Sequence, residues 1–352
     1  MTLRERLMTV IRGQTADQVP LTICQCLLPG SAAGREMQAR GLTLIGWTRL
    51  FKEKVDSSIL ISNKEIINNG KKEVFTEIMT PVGRLTERAG FDPTTGSRWV
   101  LEHLIKSLQD FKIMQYVFER TTYMLHWEEY ILQDKKMGQD GIIYGQILPI
   151  PVQWFLIELM GTQLWSETIL LHTEKFEELL DSFTSIYKKL INIAAQSPAE
   201  VIWLEDNITG TVMSPALWNK YCKPIYDYMS RVFTESGKKS VAHYDGENRP
   251  LAECIRDAKI DVIEAFTPPP MGSMTVSEAR KAWPEKVLFI NIPENIYHEP
   301  SDVIEKYVTE YMKQAQKLDR LILGCTEDFE MKYFENAFFA IDNAMKRFQG
   351  II

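Results

Sequence analysis

From Asp140 onward, short unbroken apolar runs alternate with longer amphipathic segments, and this rhythm leaves few folds open. Residues 141–148 (GIIYGQIL), 201–204 (VIWL), 240–242, 261–265 (DVIEA), 287–291 (VLFIN) and 321–323 each read as a strand buried on both faces, the mark of a parallel sheet. Helical patterns fill the gaps. Residues 214–232 open on Ser-Pro, and 275–283 open on a T-x-x-E capping box, Thr275 and Glu278. Residues 301–318 set Val303, Ile304, Val308, Tyr311 and Met312 along one stripe. Upstream, 20–26 and 57–62 supply two further strands. Eight is the number that closes a (β/α)8 barrel. The expected fold class is therefore α/β, a (β/α)8 TIM barrel with N-terminal helical and β-hairpin additions, as a single domain over 1–352. The interval 72–88 breaks the alternation and reads as a hairpin, inside an insertion of about residues 64–138. No G-x-G-x-x-G follows any strand, so a dinucleotide-binding sheet has no support.

Composition narrows the class further. At 352 residues and 45% hydrophobic, the chain has enough apolar content for a globular core, which argues against disorder and fibrous folds. No apolar run approaches the roughly 18 residues of a membrane span. The first fourteen residues hold Arg4, Glu5, Arg6 and Arg12 with no apolar core between them, unlike a signal peptide. A net charge of −7 argues against a general nucleic-acid binder. The expectation is a soluble cytoplasmic protein. Its five cysteines are scattered and odd in number, with no C-x-x-C, so neither a disulfide framework nor a zinc ribbon is expected.

Function in a parallel barrel clusters where strands end. The exits here carry Glu205, Asp206 and Asn207 after 201–204, and His243, Tyr244 and Asp245 after 240–242. Phe266 and Thr267 follow 261–265, Glu294 follows 287–291, and Cys325, Glu327 and Asp328 follow 321–323. Carboxylate, imidazole and thiol are zinc's ligand types, and three of them with one open position is the catalytic arrangement. Plainer roles stand beside this one. Asp206 and Asn207 read equally as helix caps, and Cys325 equally as a core residue. His103, His126 and His172 lie in helical patterns and His298 in a loop, whereas His243 alone follows a strand directly.

At these residues the chain resembles the uroporphyrinogen decarboxylase superfamily over nearly its whole length. Residues 3–20 (LRERLMTVIRGQTADQVP) resemble the family's N-terminal helix and the D-x-V-P leading into its first strand. Thr80–Gly83 (TPVG) resembles its T-P-x-G turn, and 203–210 (WLEDNITG) with 213–218 (MSPALW) its central segment. The resemblance implies a (β/α)8 barrel. The decarboxylases of that superfamily carry an arginine-rich N-terminal segment that grips propionates, and 24–34 (CQCLLPGSAAG) has no arginine. Its methylcobalamin:thiol methyltransferases hold zinc through H-x-C and a distant Cys. Here His243 and Cys325 match, and Asp245 replaces the middle cysteine.

The segments 243–246 (HYDG), 263–272 (IEAFTPPPMG) and 324–328 (GCTED) are most similar to the first methyltransferase component of O-demethylase systems in anaerobes that use methoxylated aromatics. That likeness implies a zinc-dependent transfer of a methyl group from a methoxyarene to the Co(I) corrinoid of a partner corrinoid protein. It implies Glu205, His243 and Cys325 as zinc ligands, with Asp245 and Glu327 as substitutes, and Glu205, His243 and Asp245 as the catalytic set. Tyr144, Gln146, Asp206, Asn207 and Phe266 are expected against the substrate, although Tyr144 and Phe266 serve equally as core. A decarboxylase-like lyase and a methylcobalamin:thiol methyltransferase are the alternatives. No nucleic-acid or membrane partner is expected, and a homodimer is one assembly the sequence allows.

Overall fold

The computed structural model describes residues 1–93 and 96–352, which divide into two compact units. One unit comprises Met1–Leu50, Trp127–Ile147 and Ala194–Ile352, and it contains a closed barrel of eight parallel strands. These are β1 (Leu21–Cys24), β2 (Leu42–Arg49), β3 (Gly141–Ile147), β4 (Val201–Leu204), β5 (Lys239–His243), β6 (Val262–Phe266), β7 (Val287–Asn291) and β8 (Leu321–Cys325). Each lies beside its neighbour in the chain, and β8 returns to pair with β1 through Thr22 and Gly324. The expected fold class is the one found.

One expected strand belongs elsewhere. Residues 57–62 do not enter the barrel; their second half begins Leu60–Asn68, an exposed strand of the other unit. The second barrel strand is β2, whose L-T-L-I-G-W-T-R is broken by Thr43, Gly46 and Thr48. It also runs almost directly into another strand, Phe51–Val55, with no helix to punctuate it. The helices behave as their patterns require. Ser214 caps the helical stretch that starts at Pro215, and Thr275 and Glu278 form both halves of their capping box.

Alternate strand residues point inward. Ile45, Ile142, Tyr144, Val201, Trp203, Val241, Val262, Val287, Phe289 and Ile322 form one buried cluster with Leu7, Met8, Val10 and Ile11 of the helix Leu3–Ile11. That helix is started by a Thr2–Glu5 capping box and fills the amino end of the barrel. Burying four such side chains contributes about 1.5–3 kcal/mol each. No helix among the described residues is long and apolar enough to cross a membrane.

The second unit comprises Phe51–His126 and Leu148–Ile193. The expected hairpin is there: Lys71–Thr80 and Gly83–Phe91 are antiparallel around the T-P-V-G turn, in a four-stranded sheet with Leu60–Asn68 and Arg98–Glu102. Phe118, Trp154, Phe155 and Phe183 form its aromatic core.

Two barrel seams leave no room for a side chain. A Cβ on Gly141 would lie 1.8 Å from the carbonyl oxygen of Leu44, and one on Gly324 would lie 2.2 Å from Thr22 Oγ1. Gly141→Ala must push β2 and β3 apart, so we expect a loss of about 1–3 kcal/mol, read as a lowered denaturant midpoint in chemical unfolding.

Candidate active site at the carboxyl end of the barrel

His243 ends β5, and the two-residue alternation that turns Val241 inward turns His243 inward as well. Its partner in register on β6 is Glu264. His243 Nδ1 lies 2.8 Å from Glu264 Oε2, and the Trp203 indole N–H donates to that same oxygen at 3.0 Å. A carboxylate can only accept, so Nδ1 carries a proton and Nε2 is the nitrogen that faces the barrel mouth. There Nε2 lies 3.0 Å from Oε1 of Glu327, a buried oxygen that has no hydrogen-bond partner.

Local backbone irregularity presents Glu264. The β6–β7 ladder pairs Ile263 with Leu288 and then Phe266 with Ile290, so one extra residue sits in β6. Ala265 takes up the slack in the left-handed region at φ 59°, a conformation that costs a non-glycine residue on the order of 1 kcal/mol. A bulge of this kind re-aims side chains next to sites.

Among the described residues, His243, Asp245 and Glu327 bring one imidazole nitrogen and two carboxylate oxygens within 4.8 Å of one another. Glu294 adds a further acid. Its Oε1 accepts from the Asn291 amide at 3.2 Å, and burial, aided by the charges of Glu327 and Asp245, pushes its pKa up. Burial alone would depress the His243 imidazole, but the Glu264 and Glu327 carboxylates outweigh it and hold its pKa well above the ordinary value. Glu264, Asp245 and Glu327 about the imidazole, with Glu294 beside the last two, make a region that favours a cation. The N/O donor set suits zinc, and the Glu264–His243 pair is the carboxylate–imidazole relay found behind metal-bound histidines.

The other expected residues lie at varied distances from this group. Glu205 is exposed at the mouth and accepts from Gln146 Nε2 at 3.2 Å. Cys325 falls outside the group for a reason of strand geometry: Ile322 points inward, so Gly324 does too, and Cys325 faces outward. Its thiol contacts the Glu327 carbonyl at 3.1 Å, and burial pushes it up to about 12. Asp206 is fully buried and accepts from the Tyr226 hydroxyl at 2.5 Å, on the helix Lys223–Glu235. Asn207 turns the chain at φ 44°. Tyr144 belongs to the inner cluster, and Phe266 meets Trp283 edge-on at 5.8 Å, in the layer outside the barrel.

Further residues of the site lie inside the strands and not at their exits. Glu264 is a lone acid in a strand whose every position is buried, a signal in itself because such a group needs donors. Trp47 on β2 stacks on Trp203 with centroids 5.4 Å apart and remains 44% exposed, and Trp203 meets His243 edge-on at 6.2 Å. At the exit of β1, the Cys24 thiol donates to Cys26 and holds it down to about 7, against burial and the charge of Asp328.

The family model for uroporphyrinogen decarboxylase (URO-D) matches residues 143–326, just over half of the chain. No curated protein matches. Among solved structures, a methyltransferase from Methanosarcina mazei is similar at a TM-score of 0.57 and 15% identity, over 97% of this chain and 99% of that one. A Listeria monocytogenes protein described as a vitamin-B12-independent methionine synthase aligns over 63% of this chain and 68% of its own, at 15% identity and a TM-score of 0.41.

The thiols give a direct check on this face. The Cys26 thiolate fraction should rise through about pH 7, so iodoacetamide should label Cys26 first, in a manner that follows that titration. Cys325 should stay unlabelled until the protein is unfolded, and Cys24→Ala should move the Cys26 titration upward. Peptide mapping by mass spectrometry reads all three.

Proposed function

The chain belongs to the uroporphyrinogen decarboxylase family, and from the group gathered at its barrel mouth we infer a zinc-dependent methyltransferase that passes the methyl group of a methoxylated aromatic to the Co(I) corrinoid of a partner protein. One observation carries the reading: His243, locked at Nδ1 by buried Glu264, turns Nε2 toward Glu327 and Asp245. His243, Asp245 and Glu327 are the residues that would hold the metal. A zinc ion there supplies Lewis acidity to the ether oxygen, which an aryl ether requires because phenolate is a poor leaving group. The likeness to a protein named as a methyltransferase points the same way.

The chain's own residues do the rest. Glu264 fixes the tautomer and ring orientation of His243, and the Trp203 N–H keeps that carboxylate in place. The exposed Trp47 indole, backed by Trp203, offers a flat face to an aromatic ring beside the histidine. Gln146 and Glu205 present polar groups at the rim for ring substituents. In the transfer, the methyl carbon–oxygen bond breaks with its electron pair left on the phenolate oxygen. The cobalt of the partner's corrinoid, as acceptor substrate, forms the new bond to carbon. Thiol chemistry through Cys325 is disfavoured by its outward direction and raised pKa.

Metal analysis should find one zinc per chain, lost in His243→Ala and Glu327→Gln. Glu264→Gln should retain the fold and weaken zinc binding by roughly 10–100-fold. Mixed with reduced corrinoid protein and a panel of methoxyarenes, the protein should convert the cobalt spectrum. Trp47→Ala should raise KM about 3–10-fold, as expected for losing one ring contact of about 1 kcal/mol. Absence of zinc, or porphyrinogen turnover without a corrinoid partner, would overturn the reading.

A further inference from the structure

The opposite end of the barrel holds a second concentration of charge, of the other sign. A cleft of about 460 Å³ opens there, lined by Arg12, Lys238, Lys239, Lys259, Lys286 and Arg320 together with Asp261 and Glu285. Six cations face two carboxylates, in a chain whose net charge is −7. Three of the six are satisfied: Lys239 pairs with Asp261 at 2.7 Å, Arg320 with Glu285 at 2.9 Å, and Arg12 with Glu200 at 2.5 Å. Among the described residues, Lys238, Lys259 and Lys286 have no carboxylate within ion-pair distance.

Lys286 is the least comfortable of the three. It is only 8% exposed, and its ammonium donates to the carbonyls of Ala258 and Ile260, which spends two of its three N–H groups. The third has no protein acceptor. Burial pulls its pKa down to about 8 and pulls that of Lys238 down as well, although the Lys238 ammonium donates to the Ser197 carbonyl. An ammonium taken out of water without a counter-charge costs several kcal/mol. Lys286 bears that cost most and half-buried Lys238 in part, while Lys259 stands exposed at the rim, so an anion in the cleft would relieve the first two.

We propose that this cleft binds a small molecule through a phosphate dianion held by Lys238, Lys259 and Lys286. Three ammoniums without a direct ion-pair contact match a doubly charged oxyanion, and lysine binds phosphate as a point charge that needs no fixed fork geometry. The volume admits a phosphate with a small organic group attached. The site is separate from the one built on His243. Lys239 and His243 are the two ends of β5, so the centres lie about 13 Å apart along the strand. The proposal therefore stands or falls independently of the methyltransferase reading.

Titration of the intact protein with inorganic phosphate at constant ionic strength, followed by calorimetry and thermal unfolding, tests it. Saturable binding of one phosphate per chain is expected, with a Kd that rises at least tenfold in Lys286→Met and in Lys259→Ala and is unchanged in His243→Ala. Lys259 is exposed, so its variant should fold normally even where Lys286→Met does not. A phosphomonoester that competes with and binds more tightly than inorganic phosphate would identify an organic ligand, whereas weaker binding would assign the site to free phosphate; either supports the cleft as a phosphate site. An effect matched by chloride at equal ionic strength, or one insensitive to Lys259→Ala, would overturn it.

Discussion

A single buried carboxylate orders the upper half of the barrel. Glu264 stands in a strand that is otherwise apolar and is only 6% exposed, a position where an unpaired charge would cost several kcal/mol. It is tolerated because the imidazole of His243 and the indole of Trp203 both reach one of its oxygens. The relation works in both directions. The acid needs those donors, and it thereby fixes the direction of His243 Nε2 and the plane of Trp203, on which Trp47 rests. The bulge at Ala265 is the backbone adjustment that accompanies this arrangement.

Much of the barrel was legible because burial on both faces demands unbroken apolar runs, and β3 through β8 have them. β2 escaped because its inward side holds Ile45 and Trp47 while Thr43, Gly46 and Thr48 dilute the run, and because no helix follows it. Residues 57–62 misled for the converse reason. Leu60 and Ile61 look like core, yet they are 65% and 47% exposed on the sheet of the other unit. At the site, His243 was readable from its place at a strand end, and Asp245 and Glu327 were in view as substitutes. The grouping was harder to see. It depends on which face each residue takes: with Ile322 inward, Cys325 must point out, a step of alternation that motif spacing does not contain. Trp47 lies within a strand that was itself missed.

The charge pattern also gains a direction that the total of −7 conceals. Asp245, Glu264, Glu294 and Glu327 gather at the carboxyl end of the strands, and lysines without carboxylate partners gather at the amino end. Charges of one sign held together in a poorly hydrated space reinforce one another's fields more than scattered surface charges do. Each end is thus suited to a ligand of opposite sign, and the net charge is a poor guide to either.

The helix Leu3–Ile11 has a further meaning for how the molecule is assembled. Its apolar face joins a cluster drawn from β2 through β8, so its seat is complete only when the barrel has closed. Closure itself joins Thr22 to Gly324, strands separated by almost the whole chain, and such distant contacts are slow to form. The helix therefore reaches its full burial only with the barrel closed, as a stopper seated in a finished vessel, and the protection of its amide hydrogens from exchange would report that closure.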